Sequence, residues 1–218
     1  PSDPGYEDPI AMYDPWEGFN RAMYKFNYGF DKYFFVPVAD TYRFILPQFV
    51  RTGIANFFDN LYEIGNVFNN LLQGNAEGTV NSTARIVFNT TLGLGGILDP
   101  ATPMGFTKME EDFGQTLGVW GAGPGPYLVL PVLGPSSVRD GIGTAVDATV
   151  ETVWATFVVD EIYSSASDRD KLYWGMTGLY YISKRAGIPF RYYGTGSPFE
   201  YEYVRYIYLK WRQIEIER

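Results

Sequence analysis

Apolar residues recur at helical spacing over most of the chain. Trp16, Phe19, Met23, Phe26 and Phe30 follow one another in steps of three and four, which sets them on one face of a helix, with Asn20, Arg21 and Lys25 off that stripe. Asp14-Pro15-Trp16-Glu17 predicts the helix start, with Asp14 as cap, Pro15 in the first position and Glu17 completing a capping box. Val36-Pro37 predicts its end, because proline disfavours helix in the residue before it. A second pattern over 48–72 carries Val50, Ile54, Phe58, Leu61, Phe68 and Leu72, with Gly74 as its stop. A third runs over about 76–92 through Val80, Ala84, Val87 and Phe88. Helical periodicity returns near Ser136, where Val138, Ile142, Ala145 and Val146 share a face and Gly141, Ala145 and Ala148 would admit a neighbouring helix, and it continues through 152–159. A further helix is predicted from about Asp168, closed by Gly187 and Pro189. The last opens at Ser197-Pro198-Phe199-Glu200, with Val204, Ile207, Tyr208, Trp211 and Ile214 on one face. For these aromatic and aliphatic stripes, a place in the core is the default expectation.

Between the third and fourth helical patterns the chain changes character. Residues 93–143 hold 18 Gly and Pro, half of all the glycines, yet Leu94, Ile97, Trp120, Tyr127, Leu128, Val129, Leu130 and Leu133 lie among them. From Asp112 to Arg139 there are 26 consecutive residues without a formal charge, longer than the roughly 20 a membrane-crossing helix needs. Six glycines and four prolines in that run exclude one continuous helix, and 127–133 is its only strong strand candidate. Irregular apolar backbone is stable where protein buries it or where it lines a watery cavity. Composition leaves both open: a core insert or a passage wall. No 18-residue apolar run free of Gly and Pro occurs, so no ordinary transmembrane helix is expected. The whole reads as an all-α, single multi-helix domain over 14–218 with this Gly/Pro-rich apolar insert, preceded by an extended arm over 1–13.

Composition narrows the chemistry. Seventeen basic against 25 acidic residues, a net charge of −8, offers no broad surface for phosphate backbones, so no nucleic acid is expected as partner. The absence of His and Cys removes Ser-His-Asp triads, Cys-His pairs, disulfides and Cys/His zinc sites. The chain opens Pro1-Ser2-Asp3 without an initiator Met, which reads as a processed or trimmed product. Asp112-Phe113-Gly114 matches a kinase triplet but lacks every companion motif, and the prolines of Gly121–Pro126 remove the N–H donors a phosphate loop needs. Glu110, Glu111 and Asp112 could supply a carboxylate pair for lipid hydrolysis, although adjacent acids more often form a solvated turn or a helix start. No motif for a cofactor is present, and none is expected.

Four blocks in order carry a family resemblance: D-P-W-E-G-F-N-R-A-M-Y-K-F-N (14–27), L-Q-G (72–74), N-T-T-L-G-L-G-G-I-L-D-P-A (89–101) and E-D-F-G-Q-T-L-G…G-P-G-P-Y-L-V-L-P…G-P-S-S-V-R-D (111–140). Together they resemble the MlaA/VacJ lipoprotein family. S-P-F-E-Y-E-Y-V-R (197–205) follows the pattern more loosely, and 155–183 least. The resemblance implies a ring-like, membrane-embedded assembly of helices in the periplasmic leaflet of a Gram-negative outer membrane. It implies an amphipathic channel that removes mislocalised phospholipid from the outer leaflet, association with a trimeric porin, and transfer of lipid to a soluble periplasmic carrier. It implies no enzyme activity; the alternatives from other classes are the hydrolase above and a porin-associated scaffold. The family's lipidated N-terminal cysteine has no counterpart in this chain, as expected if the chain starts after it. Within the insert, Trp120, Tyr127, Leu128, Leu130 and Leu133 are candidates for apolar channel walls, and Arg139 and Asp140 for a polar rim. Arg139 could meet a lipid phosphate, but pairing with Asp140 or another acid is favoured, since enclosed charges are usually paired.

Overall fold

A computed structural model describes residues 12–162 and 166–217, so the expected arm lies almost entirely outside the described residues. The fold is all-α apart from one small hairpin. Its elements in order are α1 (Glu17–Phe30), a π-helical turn (Asp31–Phe35), α2 (Val36–Ile45), α3 (Gln48–Gln73), α4 (Ala76–Thr91), α5 (Phe113–Val119), β1 (Tyr127–Leu130), β2 (Gly134–Ser137), α6 (Val138–Ile162), α7 (Ala166–Gly187) and α8 (Glu200–Glu217).

The first helix departs from expectation at both ends. Asp14 does not form a capping box: its carboxylate accepts from the Trp16 N–H at 3.1 Å and meets Tyr201 and Arg205 of α8, while Glu17 pairs with Arg21 at 2.7 Å. Asp14 thus ties the two chain ends together. At the other end Pro37 does not stop the helix. A π turn has already shifted the hydrogen-bond register, and Pro37 falls in the first turn of α2, where a missing N–H is tolerated. Arg185 at the end of α7 grips Asp31 in this turn through two bonds of 2.5 and 2.8 Å.

α3 and α4 form an antiparallel pair whose bounds the sequence pattern anticipates closely. Gly74 takes the left-handed conformation (φ +73°) that closes α3, and Asn75 caps α4 by accepting from the Gly78 N–H at 2.9 Å. A Cβ at Gly78 would fall 1.9 Å from Asn70 Oδ1, so only glycine allows this approach.

The Gly/Pro-rich insert is more regular than its composition suggests. Asp112 and Gln115 form a reciprocal capping box that starts α5. β1 and β2 pair antiparallel with Tyr127 opposite Ser137, and Val132 at their tip has φ +67° with Leu133 N–H bonded to Pro131 O at 2.8 Å. That positive φ strains a β-branched residue, and it persists because Asn27 Oδ1 of α1 accepts the Val132 N–H at 2.7 Å. α1 supplies what a third strand would: Asn20 donates to Tyr127 O and accepts from Val129 N–H, and Asn27 donates to Leu130 O. The close helix crossing falls at Gly143 rather than Gly141. A Cβ on Gly143 would sit 2.3 Å from the Gly114 backbone nitrogen of α5, whereas Gly141 has ordinary contacts.

Among the described residues one helix passes for a membrane span by length and composition alone. The most apolar 18-residue window of Val138–Glu161 has a mean hydropathy of 1.3, and Gly141 and Gly143, which counted against such a helix in the sequence, lie within it.

Candidate functional site

Burial is inverted across several helices. On α1 the stripe of Trp16, Phe19 and Phe26 is exposed, while Asn20, Tyr24, Asn27 and, just beyond, Asp31 are buried. On α4, Ser82, Arg85 and Asn89 face inward and Val80 and Val87 outward. On α8, Glu202, Arg205 and Arg212 are buried while Ile207, Trp211 and Ile214 are exposed. The expectation that these stripes form the core is therefore overturned at most of these positions. The aromatic core that does form is small: Tyr24, Tyr127, Val129 and Tyr201 in one cluster, Phe58, Leu61 and Tyr180 in another. Only 17% of the apolar window of α6 is buried.

The buried polar groups are bonded into networks that place the insert. Arg212 of α8 binds Asp112 through two bonds of 2.7 Å and reaches Asp140 at 3.1 Å and Glu215 at 2.9 Å. Four bonds from one guanidinium to three carboxylates hold α5, α6 and α8 together. Burial lowers the affinity of Arg212 for its proton, but the hydrogen bonds and charges of Asp112 and Asp140 together outweigh burial and raise it, so Arg212 stays charged. Arg85 of α4 donates to Thr102 Oγ1 at 3.0 Å and Phe106 O at 2.6 Å, fixing the loop after α4, and lies 3.7 Å from Glu63 of α3. Burial raises the pKa of Glu63, against the opposing pull of Asn66 and Arg85.

Five helices, α3, α5, α6, α7 and α8, line an open cavity of about 390 Å³ together with residues 108–112. Its lining interleaves ionisable side chains, Asp59, Lys108, Glu110, Asp147, Glu151 and Lys184, with aromatic ones, Phe58, Tyr62, Tyr180 and Trp211. The three acids considered for hydrolysis border this cavity but are committed elsewhere. Glu110 pairs with Lys108 at 2.7 Å, and that hydrogen bond holds its carboxyl below the usual range although burial opposes it. Glu111 accepts from Gln73 at 3.1 Å, and Asp112 caps α5 and binds Arg212.

None of the seven candidates from the insert lines this cavity. Tyr127 is buried in the aromatic cluster under β1, and Arg139 and Asp140 are buried and paired at 2.9 Å. The half-exposed Trp120 donates to Leu72 O at 3.1 Å, covering the end of α3. Leu128 and Leu130 face a separate open apolar groove of about 610 Å³ with Trp16, Phe19, Val138 and Ile142. Leu133 is exposed at the hairpin tip. Sequence reasoning missed the cavity residues Lys108, Asp147, Glu151 and Lys184, and the inward row Ser82, Arg85 and Asn89. The row was visible in principle: its polar residues repeat at helical spacing as regularly as the valines beside them.

A family model described as MlaA lipoprotein matches residues 12–215. The intermembrane phospholipid transport system lipoprotein MlaA of Escherichia coli K12 is 42% identical over 151 residues, which is 66% of this chain and 59% of that protein. An uncharacterised protein of Rickettsia prowazekii is 40% identical over 131 residues, 60% of this chain and 52% of that protein. The chain thus aligns with little more than half the length of these curated relatives. A solved structure described as "Structural basis for maintenance of bacterial outer membrane lipid asymmetry" superposes with a TM-score of 0.69 at 31% identity, over 94% of this chain and 100% of the other. A model match over nearly the whole chain, together with the shared fold, means that the chain belongs to the MlaA lipoprotein family.

Proposed function

We propose that this chain is a non-enzymatic conduit that removes mislocalised phospholipid from the outer leaflet of a Gram-negative outer membrane. The inverted burial carries the assignment. A protein with Phe26, Val80, Val87, Ile207 and Ile214 outward and Asn20, Arg85, Arg205 and Arg212 inward presents apolar surface to its surroundings and polar groups to itself. That distribution suits a helical shell seated in the hydrocarbon of the periplasmic leaflet. This cavity, lined by ionisable and aromatic side chains together, suits a headgroup track. We place acyl tails along the groove of Leu128 and Leu130, framed by Trp16, Phe19, Val138 and Ile142, while the Arg139–Asp140 pair braces the start of α6 behind it. A trimeric porin as lateral neighbour and a soluble periplasmic carrier as acceptor complete the proposal by family analogy, since the E. coli relative is named for intermembrane phospholipid transport. The structural commitments of Glu110, Glu111 and Asp112 favour transport over hydrolysis.

Mass spectrometry of lipid retained by the protein purified in mild detergent tests this. Intact phospholipid at close to one per chain is the expected result. Lysophospholipid and free fatty acid would replace the conduit with a hydrolase, and lipid-free protein that still binds porin would replace it with a scaffold.

A further inference from the structure

The charges in the central cavity are of both signs and unevenly satisfied. Lys108 is neutralised between Asp59 at 3.1 Å and Glu110 at 2.7 Å, and Arg212 between Asp112, Asp140 and Glu215. Lys184 has no carboxylate at ion-pair distance among the described residues; its ammonium stands 4.9 Å from the centre of the Tyr180 ring. On the α6 side, Asp147 accepts from Asn69 and from the Phe113 N–H, and among the described residues neither Asp147 nor Glu151 has a cation at ion-pair distance, although Arg212 and Lys184 act on them from farther off. Tyr62, Tyr180 and Trp211 stand in the same wall. Seven acidic side chains line the cavity against three basic ones, so a purely anionic guest meets a net negative lining. A guest with one negative and one positive group matches it: the negative group at Lys184, the positive at Glu151 and Asp147 beside the aromatic faces, which attract cations.

We propose that this cavity selects phospholipids whose headgroup is a phosphodiester bearing an ammonium group, over phospholipids whose headgroup carries only the phosphate charge. This rests on the cavity being the headgroup track. Specificity of this kind arises as much from what is repelled as from what is bound. A phosphatidylglycerol headgroup leaves Glu151 and Asp147 facing a further anion, whereas phosphatidylethanolamine supplies a cation at contact distance, which no described side chain does.

The experiment equilibrates the full chain with vesicles of equal phosphatidylethanolamine and phosphatidylglycerol content, re-isolates it and measures the ratio of bound lipids. The expected ratio favours phosphatidylethanolamine about tenfold, the effect of one well-placed charge contact. Glu151→Gln lowers that ratio severalfold, by weakening the ethanolamine lipid and by relieving the repulsion of phosphatidylglycerol. Lys184→Gln weakens both lipids alike and leaves the ratio in place, since both carry the phosphate. Circular dichroism identifies any variant that has not folded, and Glu151→Asp, which restores the charge, recovers the preference. Equal binding of both lipids by the native chain, or a ratio unmoved by Glu151→Gln, overturns the selectivity while the lipid track stands. Binding of neither lipid removes the track itself. Competition by water-soluble glycerophosphoethanolamine as strong as by the intact lipid would make this a site for soluble headgroup esters and overturn the proposal.

Discussion

At the start of α8, the Glu200 carboxylate accepts from Tyr24 Oη at 2.8 Å, from Thr195 Oγ1 at 2.6 Å, and from the backbone N–H groups of Tyr193 and Thr195. Burial alone would raise its pKa, but these donors outweigh burial and hold it below its ordinary value of 4.5. A carboxyl depressed in the folded state contributes stability above its unfolded pKa and loses it as pH falls through the folded value. Glu200→Gln keeps the shape but replaces an acceptor oxygen with a donor facing donors, so it is expected to destabilise by about 1–3 kcal/mol at pH 7. The difference from the native chain should shrink as pH falls below 4.5 and through the lowered folded value, where Glu200 is itself protonated. Denaturant unfolding across that pH range in one detergent checks this; a difference independent of pH would assign the loss to packing. The same residue shows where sequence reading reaches its limit. Ser197-Pro198-Phe199-Glu200 announced a helix start, but not that Glu200 reaches across 176 positions to Tyr24, because nothing local encodes a partner so distant.

At the scale of elements, periodicity fixed where the helices are and not which way they face. The pattern over 48–72 and 76–92 foretold α3 (Gln48–Gln73) and α4 (Ala76–Thr91) almost to the residue, since Gly74 and Asn75 punctuate them by local chemistry. A stripe looks the same whether it meets protein or lipid, so the outward turn of Phe19, Val80 and Ile207 was not legible. The hairpin was half legible: 127–133 read as extended, but its partner strand, Gly-Pro-Ser-Ser, has neither alternation nor β-branched residues. It is held from outside by Asn20 and Asn27, seven positions apart on α1 and therefore on one face. Asn27→Ala leaves Leu130 O and Val132 N–H without their side-chain partner and the strained Val132 without its anchor. The expected loss is about 1–3 kcal/mol, the penalty for stranded backbone groups, with amide exchange at Val132 accelerated while α3 and α4 stay protected. Exchange rising uniformly over the chain would instead make Asn27 a residue of the global core.

Across the described residues, several helices turn polar side chains inward and apolar ones outward, and one consequence separates a lipid-facing shell from a surface that merely awaits another protein. Val80 and Val87 project outward from α4, 65% and 51% exposed, while the same helix turns Ser82, Arg85 and Asn89 inward. Replacing both valines by lysine leaves every described hydrogen bond of α4 intact, and an exposed Val→Lys change in a helix is close to neutral for stability in water. In hydrocarbon each lysine costs about 2.5–3.5 kcal/mol near the centre of a span, and less where the long side chain can reach the interface. The double variant is therefore expected to bind vesicles at least about 100-fold more weakly than the native chain while keeping its helical circular dichroism. Vesicles of phosphatidylcholine are the right probe, because a neutral surface gives the new lysines no compensating attraction. Flotation of native chain and variant with such vesicles gives the ratio directly. Unchanged flotation would mean that α4 faces water or a protein partner, and would confine membrane contact to the α1 stripe and α6. The proposed membrane seat predicts the opposite, because Arg85 and Asn89 keep the other face of α4 turned inward and leave the valine face exposed.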